Sequence, residues 1–162
     1  MKTPSRHKRF TVIFGIMLAV PIFAMQNWAQ PIPNGAAISG TPLIDPDDLV
    51  KILQSPKGEK PLMIQVGSHV LYEQAHIPGS EYIGPASREV GILQLRKRVE
   101  ALPRNKFIVL YCGCCPWSHC PNINPADEAL HALGFTNVKL LYISDNFGAN
   151  WVDKGYPVAK GD

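Results

Sequence analysis

No cysteine occurs in this 162-residue chain before residue 112 or after residue 120, and no acidic residue occurs before Asp45. The second absence shapes the N-terminus. Lys2, Arg6, Lys8 and Arg9 precede an uncharged run of 15 residues, Phe10 to Ala24. A basic start, a short apolar stretch and small residues beyond it predict a secretory leader over residues 1–29, with cleavage after Ala24 or Ala29. The uncharged stretch continues past Ala29, so an uncleaved membrane anchor stays open as the alternative. The lack of cysteine near the cleavage region excludes a lipoprotein anchor. A lasting basic excess is also missing. Four of the sixteen Lys and Arg residues lie in the leader, leaving twelve against thirteen Asp and Glu. A near-neutral mature chain argues against nucleic acid as a partner. Internal repeats are absent as well.

All four cysteines lie in Cys112-Gly-Cys114-Cys115-Pro-Trp-Ser-His-Cys120. The spacing contains neither the paired C-x-x-C knuckles of zinc sites nor the C-x-x-C-H of haem attachment. Directly before it stands Phe107-Ile-Val-Leu-Tyr111, whose β-branched and aromatic residues predict a buried strand. Cys112 is then the first residue beyond a strand tip, with a helix start predicted at Asn124-Pro125. A thiol between a strand end and a helix N-terminus meets backbone N–H groups that favour the thiolate. A sulfur nucleophile is the chemistry this arrangement suggests.

The rest of the chain predicts alternating strands and helices. Residues 30–42, rich in Pro, Gly and Ala, read as a flexible linker to a domain spanning 43–160. Asp45 caps a helix opening with Pro46. Pro61 to Val66 reads as a strand, His69 to Gln74 as a short helix, and Glu89 to Leu102 as a helix with Ile92, Leu95, Val99 and Leu102 on one face. Arg96, Lys97 and Arg98 read as a solvated face. The helix from Pro125 ends near Gly134, with Asp127 and Glu128 in its first turn complementing the dipole. A strand follows over Val138 to Tyr142. This order predicts an α/β fold with a mainly parallel central sheet and helices on both faces, its active region at the carboxyl ends of the strands.

With these elements in order, the chain resembles a single-domain rhodanese, a sulfurtransferase. The residues that carry the likeness are Leu62-Met-Ile-Gln-Val66, Tyr72-Glu-Gln-Ala-His76-Ile77-Pro78-Gly79-Ser80, Ile108-Val-Leu-Tyr-Cys112, and Gly134-Phe135-Thr-Asn137-Val138, followed by Trp151 and Tyr156-Pro157-Val158. The resemblance implies that Cys112 forms a persulfide, within an anion- or substrate-binding loop of Gly113, Cys114, Cys115, Pro116, Trp117 and Ser118. It implies a small sulfane-sulfur donor (thiosulfate, polysulfide or persulfide), a thiol acceptor and no cofactor. The chain departs from the family where it carries Gln65 and Ser68 for an acid and an Arg, Trp117 for the loop's closing Arg, and Asn146-Phe147 for a Gly-Gly pair. Without a guanidinium fork the loop suits neither phosphoryl transfer nor tight thiosulfate binding.

Several roles stay open. Cys114, Cys115 and Cys120 are candidates for a resolving thiol or for a loop-closing disulfide, Cys115–Cys120 or Cys114–Cys120. His119 is a candidate charge partner for Cys112. The alternative function is a periplasmic redox or soft-metal module, with Zn or Cu held by Cys112, Cys114, Cys115, His119 and Cys120. Trp117 is read as lining a substrate pocket, Trp151 as core, His76 as structural in its turn, and His131 as surface. The leader implies a periplasmic or secreted protein, touching membrane only if the leader is retained.

Overall fold

Ile108 to Tyr111 are buried at every position, because this strand is central in its sheet and is covered on both faces. Alternate residues serve different cores. Ile108 and Leu110 pack in one apolar cluster with Leu95, Val99, Ala126 and Leu130. Val109 and Tyr111 pack in another with Ile44, Leu49, Ile77 and Trp151. The computed structural model describes residues 40–161. The expected leader and residues 30–39 of the expected linker therefore lie outside the described residues.

Five parallel strands form the sheet: β1 (Leu43–Ile44), β2 (Leu62–Gln65), β3 (Glu81–Tyr82), β4 (Ile108–Tyr111) and β5 (Val138–Leu141), in the order β1-β5-β4-β2-β3. Four α-helices accompany them: α1 (Pro46–Gln54), α2 (His69–Gln74), α3 (Glu89–Val99) and α4 (Ile123–Ala132). This is the expected α/β architecture. β1 and β3 escaped the sequence reading because two residues are too few to show a period. From β2 the chain moves outward to β3, whereas from β4 it moves the other way to β5. The tips of β2 and β4 thus flank a topological switch point, where parallel sheets open a crevice.

Two helix boundaries differ from expectation. α3 ends at Val99 rather than Leu102, and α4 begins at Ile123, with Asn122 as its cap, rather than at Pro125. Pro125 then occupies the third helical position. It is tolerated there because the first turn's N–H groups have no partner within the helix. The shift moves Asp127 and Glu128 out of the first turn, so neither serves the dipole there. Asp127 is instead 1 % exposed and accepts hydrogen bonds from Thr41 Oγ1 at 3.0 and 2.9 Å. Its Oδ1 also lies 3.3 Å from His131 Nε2, so the exposed His131 is tied down by its neighbours. Thr41, expected in the flexible linker, is buried by these contacts. Arg98 likewise leaves the solvated face and forks onto Glu81 of β3, while Arg96 and Lys97 are exposed.

α4 ends as expected. Gly134 takes φ +83°, and Phe135 N–H reaches back to Leu130 O at 3.1 Å. At Gly91 of α3 the backbone approaches its neighbour closely: a Cβ there would lie 2.3 Å from Pro85 O. Gly91→Ala is expected to lower unfolding stability by about 1–3 kcal/mol through overpacking, read as a reduced midpoint in urea. An unchanged midpoint would mean that the Pro85 turn yields freely.

Candidate active site at the tip of β4

Cys112 continues the alternation of β4, so its side chain enters the core shared by Ile108 and Leu110 on the α4 side. The residue is 4 % exposed. Gln65, at the end of β2, joins the two strand tips. Its Nε2 donates to Cys112 O at 3.2 Å, and its Oε1 accepts from Gly67 N–H at 3.0 Å. Gly67 passes so close that a Cβ would stand 2.7 Å from Cys112 Sγ. Hydrogen in place of a side chain makes the room the sulfur occupies. Beyond Cys112 the chain reverses at Gly113, with φ +75°, a turn that glycine adopts without steric cost. Phe147 N–H donates to Gly113 O at 2.9 Å, and the ring packs beside Tyr111 and Trp151.

That reversal brings three sulfurs together. The Sγ atoms of Cys112, Cys114 and Cys120 all lie within 4.8 Å of one another, with Cys112 and Cys114 at 3.1 Å. Asn122 Nδ2 donates towards Cys112 Sγ at 3.4 Å and Cys114 Sγ at 3.8 Å. Its Oδ1 accepts from Ser87 N–H at 3.0 Å, which fixes the orientation of the amide. Hydrogen bonding with Cys114 and Cys120, then burial, pushes the Cys112 thiol up. Cys114 is pulled down because Cys112 and Cys120 both hydrogen-bond to it. Hydrogen bonding with Cys112 lowers Cys120, and Cys114 and burial outweigh that, so its thiol is raised. The α4 start was expected to act on Cys112, yet its Asn122 and Ile123 N–H groups bear on Cys120.

The remaining loop residues separate from this cluster. All four cysteines are free thiols, so neither expected disulfide, Cys115–Cys120 or Cys114–Cys120, is formed in this structure. Cys115 Sγ lies 3.5 Å from Cys114 Sγ but points to His119 O at 3.6 Å, and burial first of all pushes its thiol up to about 12. His119, expected as a charge partner, is exposed and its ring bonds Ser118 Oγ at 2.9 Å. It stands outside the three-sulfur set. Pro116 and Ser118 are exposed, flanking and within a 3-10 turn over Trp117–His119. Trp117 does not line an open pocket as expected: it is buried against Tyr142, and the space it bounds with Cys112 and Cys120 admits no solvent. The Trp117 backbone N–H bonds Ser144 O at 3.1 Å, which anchors the turn, and the ring packs edge-on against Tyr142 under the loop.

An open cavity of about 420 Å³ borders Cys112 and Cys114. Leu71, Gln74, Asn146, Phe147 and Val152 line it, and no Asp, Glu, Lys or Arg side chain does. Trp151 and His76 match their structural expectations. Trp151 is fully buried and donates to Pro157 O at 2.8 Å; His76 stacks on Tyr72 and its Nδ1 lies 2.9 Å from Tyr72 O. Sequence reasoning missed the roles of Gln65, Gly67 and Asn122. A glycine just past a strand end and a polar residue just before a helix were the available signals, and neither names its sulfur partner.

Residues 45–143 match the family model described as a rhodanese-like domain. No curated protein sequence matches the chain. Among solved structures, the rhodanese-like domain of an Anabaena sp. protein is 21 % identical with a TM-score of 0.54, over 74 % of this chain and 79 % of that one. A Bacillus halodurans protein is 22 % identical with a TM-score of 0.54, over 74 % and 77 %. The thiosulfate sulfurtransferase of Pseudomonas aeruginosa is 24 % identical with a TM-score of 0.54, over 75 % of this chain and 20 % of that one. At these identities the likeness establishes the fold.

Proposed function

The chain belongs to the rhodanese-like domain family, and from that premise we propose that it is a sulfurtransferase or persulfide carrier acting through Cys112. The observation that carries this reading is the position of Cys112: first beyond the central strand, at the switch point, with its sulfur against Cys114 and the residue bordering an open cavity. In the first step Cys112 Sγ attacks the outer sulfur of a persulfide donor. A new S–S bond forms, the donor's S–S bond breaks, and the donor leaves as a thiolate. The departing donor thiolate takes up the Cys112 proton. An acceptor thiolate then attacks the terminal sulfur of the Cys112 persulfide and regenerates Cys112. Nucleophilic catalysis of this kind exchanges one S–S bond for another and requires no cofactor. The expected leader would put the reaction in the periplasm or outside the cell.

The uncharged cavity lining supports a persulfide or polysulfide donor over thiosulfate, whose two charges would enter without a cation to meet them. The reduced protein is expected to gain one sulfur atom by intact mass from glutathione persulfide at least about tenfold faster than from thiosulfate, equivalent to ~1.4 kcal/mol. Faster loading from thiosulfate would reverse the donor assignment. No adduct from any of these donors would overturn the sulfurtransferase reading.

A further inference from the structure

We propose that Cys112, Cys114 and Cys120 form a three-sulfur binding site for copper(I). The site does not depend on the sulfur-transfer reading, and it is smaller than the five-residue set that the thiols and imidazole of the loop offered. Three separate pieces of chain build it. Cys112 comes from the tip of β4, Cys114 from the reversal at Gly113, and Cys120 from the end of the 3-10 turn just before α4. Eight sequence positions separate Cys112 from Cys120, yet their sulfurs and that of Cys114 lie mutually within 4.8 Å. The loop is closed by this convergence of free thiols and by Cys120 N–H bonding Trp117 O at 3.2 Å.

Coordination number selects the metal. Zinc in a closed protein site takes four ligands. Cys115 Sγ lies 3.5 Å from Cys114 Sγ but outside the set whose sulfurs are all mutually within 4.8 Å, and it donates to His119 O, while the His119 ring bonds Ser118 Oγ. A set of three thiolates with no nitrogen or oxygen ligand suits a soft, low-coordinate ion, and copper(I) is the biological cation of that character. A metal with bonds of about 2.3 Å to three sulfurs in one plane holds those sulfurs about 4.0 Å apart. The observed set lies within 4.8 Å, so the 3.1 Å Cys112–Cys114 pair must open by about 0.9 Å and a pair at the outer limit must close by about 0.8 Å.

The surroundings suit a metal thiolate. Asn122 Nδ2 donates towards two of the sulfurs, and Ser87 N–H holds that amide in place. The backbone N–H groups of Asn122 and Ile123 bear on the third. Such outer contacts orient sulfur ligands and spread their charge. Trp117 and Ile123 close the space below the cluster, keeping water from that side. No Lys or Arg lines either the closed space or the neighbouring cavity. Gathered thiolates therefore find no side-chain cation there, and a bound metal ion supplies the positive charge they need. Binding involves no redox change: each thiol that ligates releases its proton to solvent as its sulfur bonds the metal. Ligation also occupies the Cys112 electron pair that would attack a sulfur donor, so bound copper(I) should block sulfur loading.

The test is anaerobic titration of the reduced full-length protein with copper(I) against bicinchoninate, a chromophoric competitor. One equivalent should be withdrawn from the competitor, with an affinity at least about 100-fold weaker in Cys120→Ala and in Cys114→Ala, and unchanged in Cys115→Ala. Zinc should bind at least about 100-fold more weakly than copper(I). Circular dichroism of each variant separates lost ligation from lost fold, and Asn122→Ala provides a second variant that keeps all three sulfurs while weakening binding. Failure to withdraw copper(I), tighter binding of zinc, or an equal loss in Cys115→Ala would each overturn the site. Because the competitor reads copper alone, a protein that binds copper but never accepts sulfur would refute the sulfurtransferase reading and leave this site standing.

Discussion

Cys112→Ser is expected to abolish the one-sulfur mass gain while leaving the fold intact. Serine is slightly smaller than cysteine, and its hydroxyl can accept the Asn122 Nδ2 hydrogen bond that now reaches Cys112 Sγ at 3.4 Å. The buried site therefore keeps a satisfied polar atom. What disappears is the nucleophile: an alcohol in this setting has no adjacent base strong enough to ionise it, whereas a thiol is intrinsically nucleophilic. Loading should fall to background, by about 10³-fold or more. Intact mass after exposure to glutathione persulfide provides the measurement, with far-ultraviolet circular dichroism to verify folding. The competing outcome is informative. Cys114 receives hydrogen bonds from Cys112 and Cys120, which favour its thiolate, and it is more exposed than Cys112. An adduct that survives Cys112→Ser and is lost in Cys114→Ser would transfer the nucleophilic role to Cys114.

Gly67→Ala should slow sulfur loading by about 10- to 100-fold, the effect expected when a reacting atom is displaced by up to about 1 Å. The added methyl would stand 2.7 Å from Cys112 Sγ and 3.1 Å from Gln65 Nε2. It would push on the sulfur and on the amide that holds the Cys112 carbonyl. Gly67 is not among the glycines with positive φ, so alanine meets no backbone penalty there. Replacing glycine at such a position even restricts the unfolded chain, a gain of about 0.4–1 kcal/mol. Overpacking opposes that gain by about 1–3 kcal/mol. Stability should consequently fall by no more than about 2.6 kcal/mol. The rates of sulfur loading and of Cys112 alkylation, measured beside the urea midpoint, separate the two. Wild-type rates in Gly67→Ala would show that the sulfur has freedom to move and that Gly67 does not control it.

The legible parts of this protein were those written in contiguous chemistry. Phe107 to Tyr111 is apolar at every position, which announces a strand covered on both faces, and β4 is that strand. Gly134 announced the end of α4, and Pro46 the start of α1. The short edge elements were not legible, since Leu43–Ile44 and Glu81–Tyr82 become strands only through pairing with β5 and β2. The start of α4 was misplaced because Pro125, favoured at the first helical position, is here merely tolerated at the third, where its missing N–H costs no helical bond. Trp117 reads as a pocket residue among polar neighbours, but its backbone N–H is anchored to Ser144, a residue beyond β5, and its ring packs into the core against Tyr142.

The order of apolar runs, turn residues and cysteines was enough to determine a parallel α/β sheet and to put Cys112 just beyond its central strand. These are local properties, set by side-chain volume, backbone freedom and the period of the chain. Which sulfurs meet is a different matter. The distances among Cys112, Cys114 and Cys120 depend on the reversal at Gly113, on Ser144 anchoring Trp117, and on Asn122 held by Ser87. Those contacts join residues 10 to 35 positions apart, and a one-dimensional pattern carries no distance between them. Tertiary structure alone decided that three of the four thiols form one mutually close group, with Cys115 beside Cys114 at its edge.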